Sequence, residues 1–145
     1  MDIYGKVLIA QCRHKNIDIE VCGSSMYPEI KGNDIITIKQ QDEYNIGDVI
    51  VFMFEKRIVV HRILNIVASE YWCKGDNSFR LEKVSLNKVV GIVTHVNQKR
   101  IEHCLEEKVI ESFGIYLEFR KSGFDIDKVM ASDVYKKYAE KYIYV

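Results

Sequence analysis

The sequence predicts a mainly β protein of the α+β class: a coiled antiparallel sheet or partial barrel with an N-terminal helix and a helical C-terminal extension. Short β-branched and aromatic runs, separated by Gly, Asn and Asp, occupy residues 17–96. Apolar residues recur at helical spacing on both sides of this region. The chain has 145 residues, 48% of them hydrophobic, which is enough for one core and a small extension. We therefore predict a main domain over residues 1–98 and an extension over residues 99–145 that packs on it.

The N-terminal helix is predicted over residues 2–15, where the apolar positions suit an amphipathic helix that covers a core. These positions are Ile3, Tyr4, Val7, Leu8 and Cys12. Strands are predicted at five β-rich runs, which span residues 35–38, 49–54, 58–67, 71–74 and 89–94. Five or six closely spaced strands favour a mostly antiparallel sheet that coils into a barrel-like shape.

The apolar pattern after Gln98 predicts a helix that is interrupted or bent near Gly114. A second helix is predicted from about Asp125 to Tyr142, with Gly123 as the stop between the two. Four tyrosines near the end of the chain fall at close to helical spacing, namely Tyr135, Tyr138, Tyr142 and Tyr144. Such a stripe is typical of a packed core, and the alternative is a docking surface for a partner.

The charge balance argues against nucleic acid as a partner. The chain has 21 Lys and Arg and 21 Asp and Glu, so it carries no excess positive charge for a phosphate backbone. The longest apolar run near the N-terminus, residues 7–10, is far shorter than the roughly 20 residues that span a bilayer. It is also too short for a secretory signal. We therefore expect no stable membrane insertion and a cytoplasmic location.

Cysteine usage is consistent with that expectation. Cys12, Cys22, Cys73 and Cys104 form no metal-type C-x-x-C pair, and their spacing does not resemble a disulfide framework. Reduced thiols are therefore expected. The sequence predicts no metal site and no cofactor, and it leaves the oligomeric state open.

Three separate segments carry the side-chain types that hydrolytic chemistry requires. Ser25 follows small residues that permit close approach of a substrate backbone, His61 lies within an otherwise apolar strand, and Asp76 lies in a Gly-Asp-Asn turn. A serine hydroxyl becomes a good nucleophile when a base takes its proton and a third group orients that base. Each segment alone fits an ordinary turn or a core histidine. Their combination predicts a serine peptidase.

Five strings follow one another between about residue 19 and residue 96. They are Gly23-x-Ser25-Met26-x-Pro28, Gly47-Asp48-Val49-Ile50-Val51, Val60-His61-Arg62-Ile63, Lys74-Gly75-Asp76-Asn77 and Val90-Gly91-Ile92-Val93. In this order they resemble the signal peptidase I superfamily, which includes the self-cleaving LexA-like repressors. The resemblance implies the coiled β fold of signal peptidase and of the LexA C-terminal region. It leaves the N-terminal helix and the last 45 or so residues outside the match.

The resemblance also implies a role for each matching residue. Ser25 takes the place of the nucleophile. His61, which is followed by arginine, matches the branch of the superfamily whose base is histidine rather than lysine. Asp76 is the direct match for the acid that orients or balances the base. Glu82 is a rival for that role, because some members carry a further acid several residues after the turn.

The resemblance places the oxyanion and substrate-binding positions at Gly23, Ser24 and Met26. Many members have a serine where this chain has Gly23. Backbone amides near Ser25, with help from Ser24, are therefore expected to hold the oxyanion.

The expected function is that of a serine endopeptidase that cleaves a leader or precursor peptide by acyl transfer. An extended substrate would add to a sheet edge, with small residues near the scissile bond and the helical tail helping in recognition. The alternative is a catalytically inactive peptide- or protein-binding module of the same fold. A self-cleaving regulator is a weaker alternative, because the 20 or so residues before the match leave no room for a DNA-reading domain.

Overall fold

The structure, a computed structural model, describes residues 3–101 and 105–143. Helix α1 (Ile3–Cys12) comes first, and three helices follow the sheet: α2 (Glu106–Lys121), α3 (Ile126–Ala131) and α4 (Asp133–Tyr142). The strands are β1 (Ile17–Glu20), β2 (Ile35–Lys39), β3 (Val49–Phe54), β4 (Arg57–Val67), β5 (Glu70–Lys74), β6 (Glu82–Ser85), β7 (Val89–Val96) and β8 (Lys99–Arg100). A short 3₁₀ turn, Leu86–Lys88, joins β6 to β7.

The strands form one curled antiparallel sheet in the order β1-β2-β7-β3-β4-β5-β6, with β8 paired to β7. Every paired neighbour is antiparallel. The predicted coiled antiparallel fold is therefore confirmed, and each of the five predicted strands is present within a few residues. The sheet gains β1, β6 and β8, which are too short to give a strong alternating pattern of their own.

The two faces of the sheet bury two different clusters, because successive side chains of a strand point to opposite sides. Val49 and Val51 pack with α1 in the first cluster. Ile50 and Phe52 belong to the second cluster, on the other face. The same alternation separates His61 from Arg62 in β4.

Helix α1 covers the first cluster with a face that includes two of the five predicted positions, Leu8 and Cys12. Leu8, Ile9 and Cys12 are buried, whereas Ile3, Tyr4 and Val7 are exposed. Gly5 allows the close approach, because a Cβ there would lie 2.8 Å from the sulfur of Met53. The face of α1 that packs on the sheet therefore includes Gly5. The pattern of apolar residues alone does not predict this, because glycine is not counted as apolar.

The helical extension follows the prediction in part. Gly123 ends α2 with a φ of +76°, a conformation that favours glycine. Helix α2 runs without interruption through Gly114, so the predicted break there is wrong; a glycine inside a helix costs only about 1 kcal/mol and packing outweighs it. The single helix predicted from Asp125 to Tyr142 is also wrong. It divides at Ser132, whose hydroxyl accepts from the Tyr135 amide and caps α4.

The extension has a third hydrophobic cluster of its own, in which Tyr135 and Tyr138 are buried with Ile115, Phe119 and Val129. The tyrosine stripe is therefore mainly core, and Tyr144, like Cys104, lies outside the described residues. Phe79 from the main domain packs against this cluster. Trp72 of β5 stacks on Phe113 of α2 with ring centroids 6.5 Å apart. These contacts join the extension to the sheet, while the boundary at residue 98 stays a prediction.

Within the described part of the chain, no helix is both long enough and apolar enough to cross a membrane.

Candidate active site

Ser25 lies in the loop between β1 and β2, at the mouth of a groove. The loop is a compact turn, in which the Tyr27 amide donates to the Ser24 carbonyl at 3.1 Å and the Ile30 amide donates to the Met26 carbonyl at 3.0 Å. The Met26 side chain is only 3% exposed and anchors the turn in the first cluster. Ser25 itself is half-buried, so its hydroxyl is held in place but remains accessible.

His61 is held in β4 opposite Ile50 of β3, and its ring is buried against Phe52. Its Nε2 lies 3.0 Å from the Ser25 hydroxyl oxygen. Ser25 and His61 are the predicted nucleophile and base, and the fold brings their side chains together across 36 positions of sequence.

Glu82 completes the line of polar groups, with its Oε1 2.5 Å from His61 Nδ1. The sheet register explains the contact, since Ile63 lies opposite Cys73 and Cys73 lies opposite Glu82, which places Glu82 on the face that carries His61. An ionised carboxylate only accepts hydrogen bonds, so Nδ1 donates to Glu82 and the Nε2 lone pair is left to accept from Ser25. Both residues of the pair are buried.

Asp76 does not make the contact with His61 that the sequence analysis expected. Its carboxylate accepts two hydrogen bonds from Arg62, from Nε to Oδ1 at 3.0 Å and from Nη2 to Oδ2 at 2.8 Å. Lys74, just before the turn, lies opposite Arg62 in the β4–β5 ladder, so the turn begins on the Arg62 side of the sheet. Of the two acids that the sequence left as rivals for His61, Glu82 makes the contact.

Arg62 is the centre of a second polar network. It is 1% exposed and also donates to the Gly47 carbonyl at 2.9 Å and to the carboxylate of Glu29. Lys108, from α2, lies 3.0 Å from Asp76 Oδ2. Burial alone would raise the pKa of Asp76, but the charge and hydrogen bonds of Arg62, assisted by Lys108, lower it to about 2. Asp76 is therefore ionised at neutral pH and pairs with Arg62 and Lys108.

Lys74 is fully buried beside this network. Its ammonium donates to the Gly75 carbonyl at 2.8 Å and to the Ser78 carbonyl at 2.6 Å. Desolvation lowers the pKa of Lys74 to about 7, although the negative charges of Asp76 and Glu82 oppose the shift. The two hydrogen bonds of the Lys74 ammonium join the two ends of the Gly75–Ser78 turn.

The predicted oxyanion positions surround Ser25. Gly23 and Ser24 are exposed, and the Ser24 carbonyl accepts from the Asn77 side-chain amide at 3.1 Å. The Met26 side chain packs in the first cluster, and Met26 also lines the groove. Among the described residues, the backbone amides of Ser25 and Met26 have no hydrogen-bond acceptor. Two amide donors beside the serine are thus left for another molecule.

A groove of about 560 Å³ runs along Ser25 and His61. One side is formed by the end of β1 and the residues after it, including Glu20 and Val21, and the other by residues 57–60 of β4. This part of β4 pairs with β3 alone among the described strands, because its pairing with β5 starts at Arg62. The groove therefore lies beside an unpaired strand edge.

Two contributors to the second network could not be recognised from the sequence. Glu29 follows the serine string and resembles any surface acid, while Lys108 lies in the tail, outside every matching string. Among the described residues, no group of three or more His, Cys, Asp and Glu side chains is arranged to hold a metal ion. The three described cysteines Cys12, Cys22 and Cys73 are free thiols.

Comparison with known proteins identifies a family. Residues 4–95 match the protein-family model described as Peptidase S24-like. That segment contains all of α1 except Ile3, together with Ser25, His61 and Glu82, and it ends before α2. No curated protein matches the chain.

Proposed function

Since the matched segment covers most of its length, the chain belongs to the Peptidase S24-like family, and on that premise we propose that it is a serine endopeptidase. One observation carries the proposal. Ser25 Oγ, the two ring nitrogens of His61 and Glu82 Oε1 form one continuous line, with spacings of 3.0 and 2.5 Å. This is the nucleophile, base and orienting acid of a hydrolytic triad.

In the proposed mechanism, His61 Nε2 takes the proton of Ser25 as its oxygen attacks a peptide carbonyl carbon. Glu82 holds the ring through Nδ1 and stabilises the imidazolium that forms. The negative charge that develops on the substrate oxygen is met by the amides near Ser25, of which those of Ser25 and Met26 are without an acceptor among the described residues. His61 then gives its proton to the leaving amine, and water releases the acyl group.

The groove favours an extended peptide as the substrate. The unpaired edge of β4 at residues 57–60 lines it beside His61. An extended chain that adds to this edge gains backbone hydrogen bonds and places its carbonyl groups along the wall that carries Ser25. We propose a leader segment of a precursor peptide or protein as the natural substrate.

The test is to incubate the wild type, Ser25→Ala and Ser85→Ala proteins with a diverse peptide library and to map new termini by mass spectrometry. Ser85 is an exposed serine of β6 that bonds to Asn87, away from the groove, and serves as the matched control. We expect cuts from the wild type and Ser85→Ala proteins and none from Ser25→Ala. If Ser25→Ala makes the same cuts, Ser25 is not the nucleophile.

A fluorophosphonate probe separates an absent substrate from an inactive site. A nucleophilic Ser25 displaces fluoride from phosphorus and becomes covalently phosphonylated, while His61 accepts the serine proton. Labelling of the wild type without any peptide cleavage would indicate a competent site whose substrate the library lacks. No labelling and no cleavage would favour the inactive peptide-binding module.

A further inference from the structure

The Gly75–Ser78 turn contacts the backbone of the proposed nucleophile, Ser25. The Asn77 amide donates to the Ser25 carbonyl at 2.8 Å, and the Asp76 amide lies 3.4 Å from the Met26 sulfur. Gly75 is so close that a Cβ on it would lie 2.5 Å from the Ser25 carbonyl oxygen and 2.9 Å from His61 Nε2. The turn is therefore in close contact with both Ser25 and His61.

The C-terminal extension also contacts this turn. Lys108 of α2 reaches the Asp76 carboxylate at 3.0 Å, and the Tyr138 hydroxyl of α4 donates to the Asp76 backbone carbonyl at 3.1 Å. The Tyr138 ring also covers the Lys74 ammonium, 5.7 Å from its centroid. Tyr138 is 2% exposed, so these contacts form inside the molecule and leave little room for alternative arrangements.

We propose that Lys108 and Tyr138 are positioning residues for Ser25 and His61, and that the extension is a structural part of the active site. The proposal rests on the proposed peptidase function. Both residues contact Asp76, and Lys108 also lies 3.8 Å from Glu29 Oε2, in the loop that carries Ser25. Neither residue is hydrogen-bonded to the proposed nucleophile or base. The chain of contacts runs from α2 and α4 to Asp76, then through Asn77 to the backbone of Ser25.

Geometry explains why small changes here affect the rate of reaction. A nucleophile and base act together only within hydrogen-bonding distance, and a displacement of about 1 Å can cost up to roughly 100-fold in rate. The Asp76 side chain is also held by Arg62, which belongs to the main domain and not to the extension. The backbone carbonyl of Asp76 is held by Tyr138 from the extension. Loss of the extension contacts is therefore expected to shift the turn and leave the sheet intact.

The experiment compares Lys108→Met, Tyr138→Phe, Lys108→Arg and Lys141→Met in the full chain. Lys108→Met removes the charge and keeps most of the stem, whereas Tyr138→Phe removes only the hydroxyl and keeps the ring over Lys74. Lys108→Arg tests rescue by a second cation. Lys141 is the matched control, because it joins α4 to α2 through Glu107 and Glu111 on the exposed surface and has no contact with the turn.

The first readout is the rate at which Ser25 is phosphonylated by the fluorophosphonate probe. We expect a decrease of about tenfold in Lys108→Met and Tyr138→Phe, a rate within about threefold of wild type in Lys108→Arg, and no change in Lys141→Met. Thermal unfolding midpoints are measured in parallel, and labelling is done well below them. An equal loss of rate in Lys141→Met would overturn the proposal, because the effect would then be general loosening of the extension.

The second readout does not depend on reactivity. Hydrogen exchange of the Asn77 amide reports the bond to the Ser25 carbonyl. The Ile63 amide of β4, which donates to the Asp48 carbonyl just before β3, is the internal reference. We expect exchange at Asn77 to be about tenfold faster in Lys108→Met and Tyr138→Phe, with Ile63 unchanged. Unchanged exchange at Asn77 overturns the positioning role. Faster exchange with an unchanged rate of labelling also overturns it, whereas an unlabelled wild type overturns the peptidase function itself.

Discussion

Two polar networks start from neighbouring residues of β4 and differ in almost every physical respect. His61 points to one face, where each ring nitrogen has one hydrogen-bond partner among the described residues. One of these partners, Ser25, is half-buried at the groove. Arg62 points to the other face and donates to Asp76, Glu29 and Gly47 in the interior. Imidazole can take and give a proton, whereas a guanidinium stays charged in proteins. The first network is suited to chemistry and the second to rigidity.

The largest expected effect comes from Glu82→Gln, which should lower kcat by about 10³-fold to 10⁴-fold and leave the thermal midpoint within a few degrees. An amide at this position can donate to Nδ1 and so favours the tautomer whose Nε2 cannot accept the serine proton. Peptide cleavage and thermal unfolding are measured on the same preparation. A loss of stability together with activity would place Glu82 in a structural network like that of Arg62.

Asp76→Asn should, unlike Glu82→Gln, destabilise the fold, with a loss of about 3 kcal/mol in the free energy of unfolding at pH 7. The variant leaves Arg62 and Lys108 beside a neutral amide in the interior. Because the folded-state pKa of Asp76 is lowered to about 2 from 3.8, its stabilisation is complete above about pH 4 and is lost as the pH falls through about 2. Denaturant unfolding at several pH values should therefore show a smaller difference between wild type and variant at low pH. A difference that does not depend on pH would contradict this assignment.

Lys74→Met should change how the free energy of unfolding depends on pH above about 7. The pKa of Lys74 is about 7 in the folded protein and 10.5 in the unfolded chain, so between these values the unfolded chain binds more protons and stability rises with pH. Relative to Lys74→Met, the wild type should gain on the order of 1 kcal/mol per pH unit between about pH 7.5 and 9.5. Comparing the two proteins cancels the titration of the groups that they share. Parallel stability curves would show that Lys74 keeps an ordinary pKa.

The smallest expected effect is that of Lys141→Met on the exposed surface of the extension. Its ion pairs with Glu107 and Glu111 are open to solvent, where screening and side-chain entropy leave exposed pairs nearly neutral. We expect no resolvable change in the thermal midpoint at physiological salt. A clear decrease would mean that the contact between α2 and α4 depends on charge more than on its apolar cluster.

The fold could be predicted from the sequence wherever one physical signal dominated. Long β-branched runs, such as residues 49–54 and 58–67, correctly predicted the central strands. Gly123 correctly predicted the end of α2. The break at Ser132 was missed, because a capping serine inside a helical apolar pattern competes with the pattern itself and only packing decides between them.

The candidate site was predictable as a set of residues and less so as a set of contacts. Ser25 and His61 could be paired from the matching strings. The partner of His61 depends on sheet register, because the alignment of β4, β5 and β6 brings Glu82 next to the histidine. The spacing of residues along the sequence does not reveal how strands are aligned. Lys108 could not be found at all, because its role arises only when α2 packs beside the Gly75–Ser78 turn.

The alternation of His61 and Arg62 also constrains how this gene can change in length. Deleting or inserting one codon between Arg57 and His61 would rotate the following part of β4 by one position, so that the imidazole and the guanidinium would exchange faces. Both networks would then fail together, even though every residue that forms them is still encoded. Length changes are tolerated only where register can be restored, as in the two-residue turn at Glu55 and Lys56 or at the irregularity between Ile63 and Asn65. In this segment reading-frame-preserving indels should be more damaging than most single substitutions.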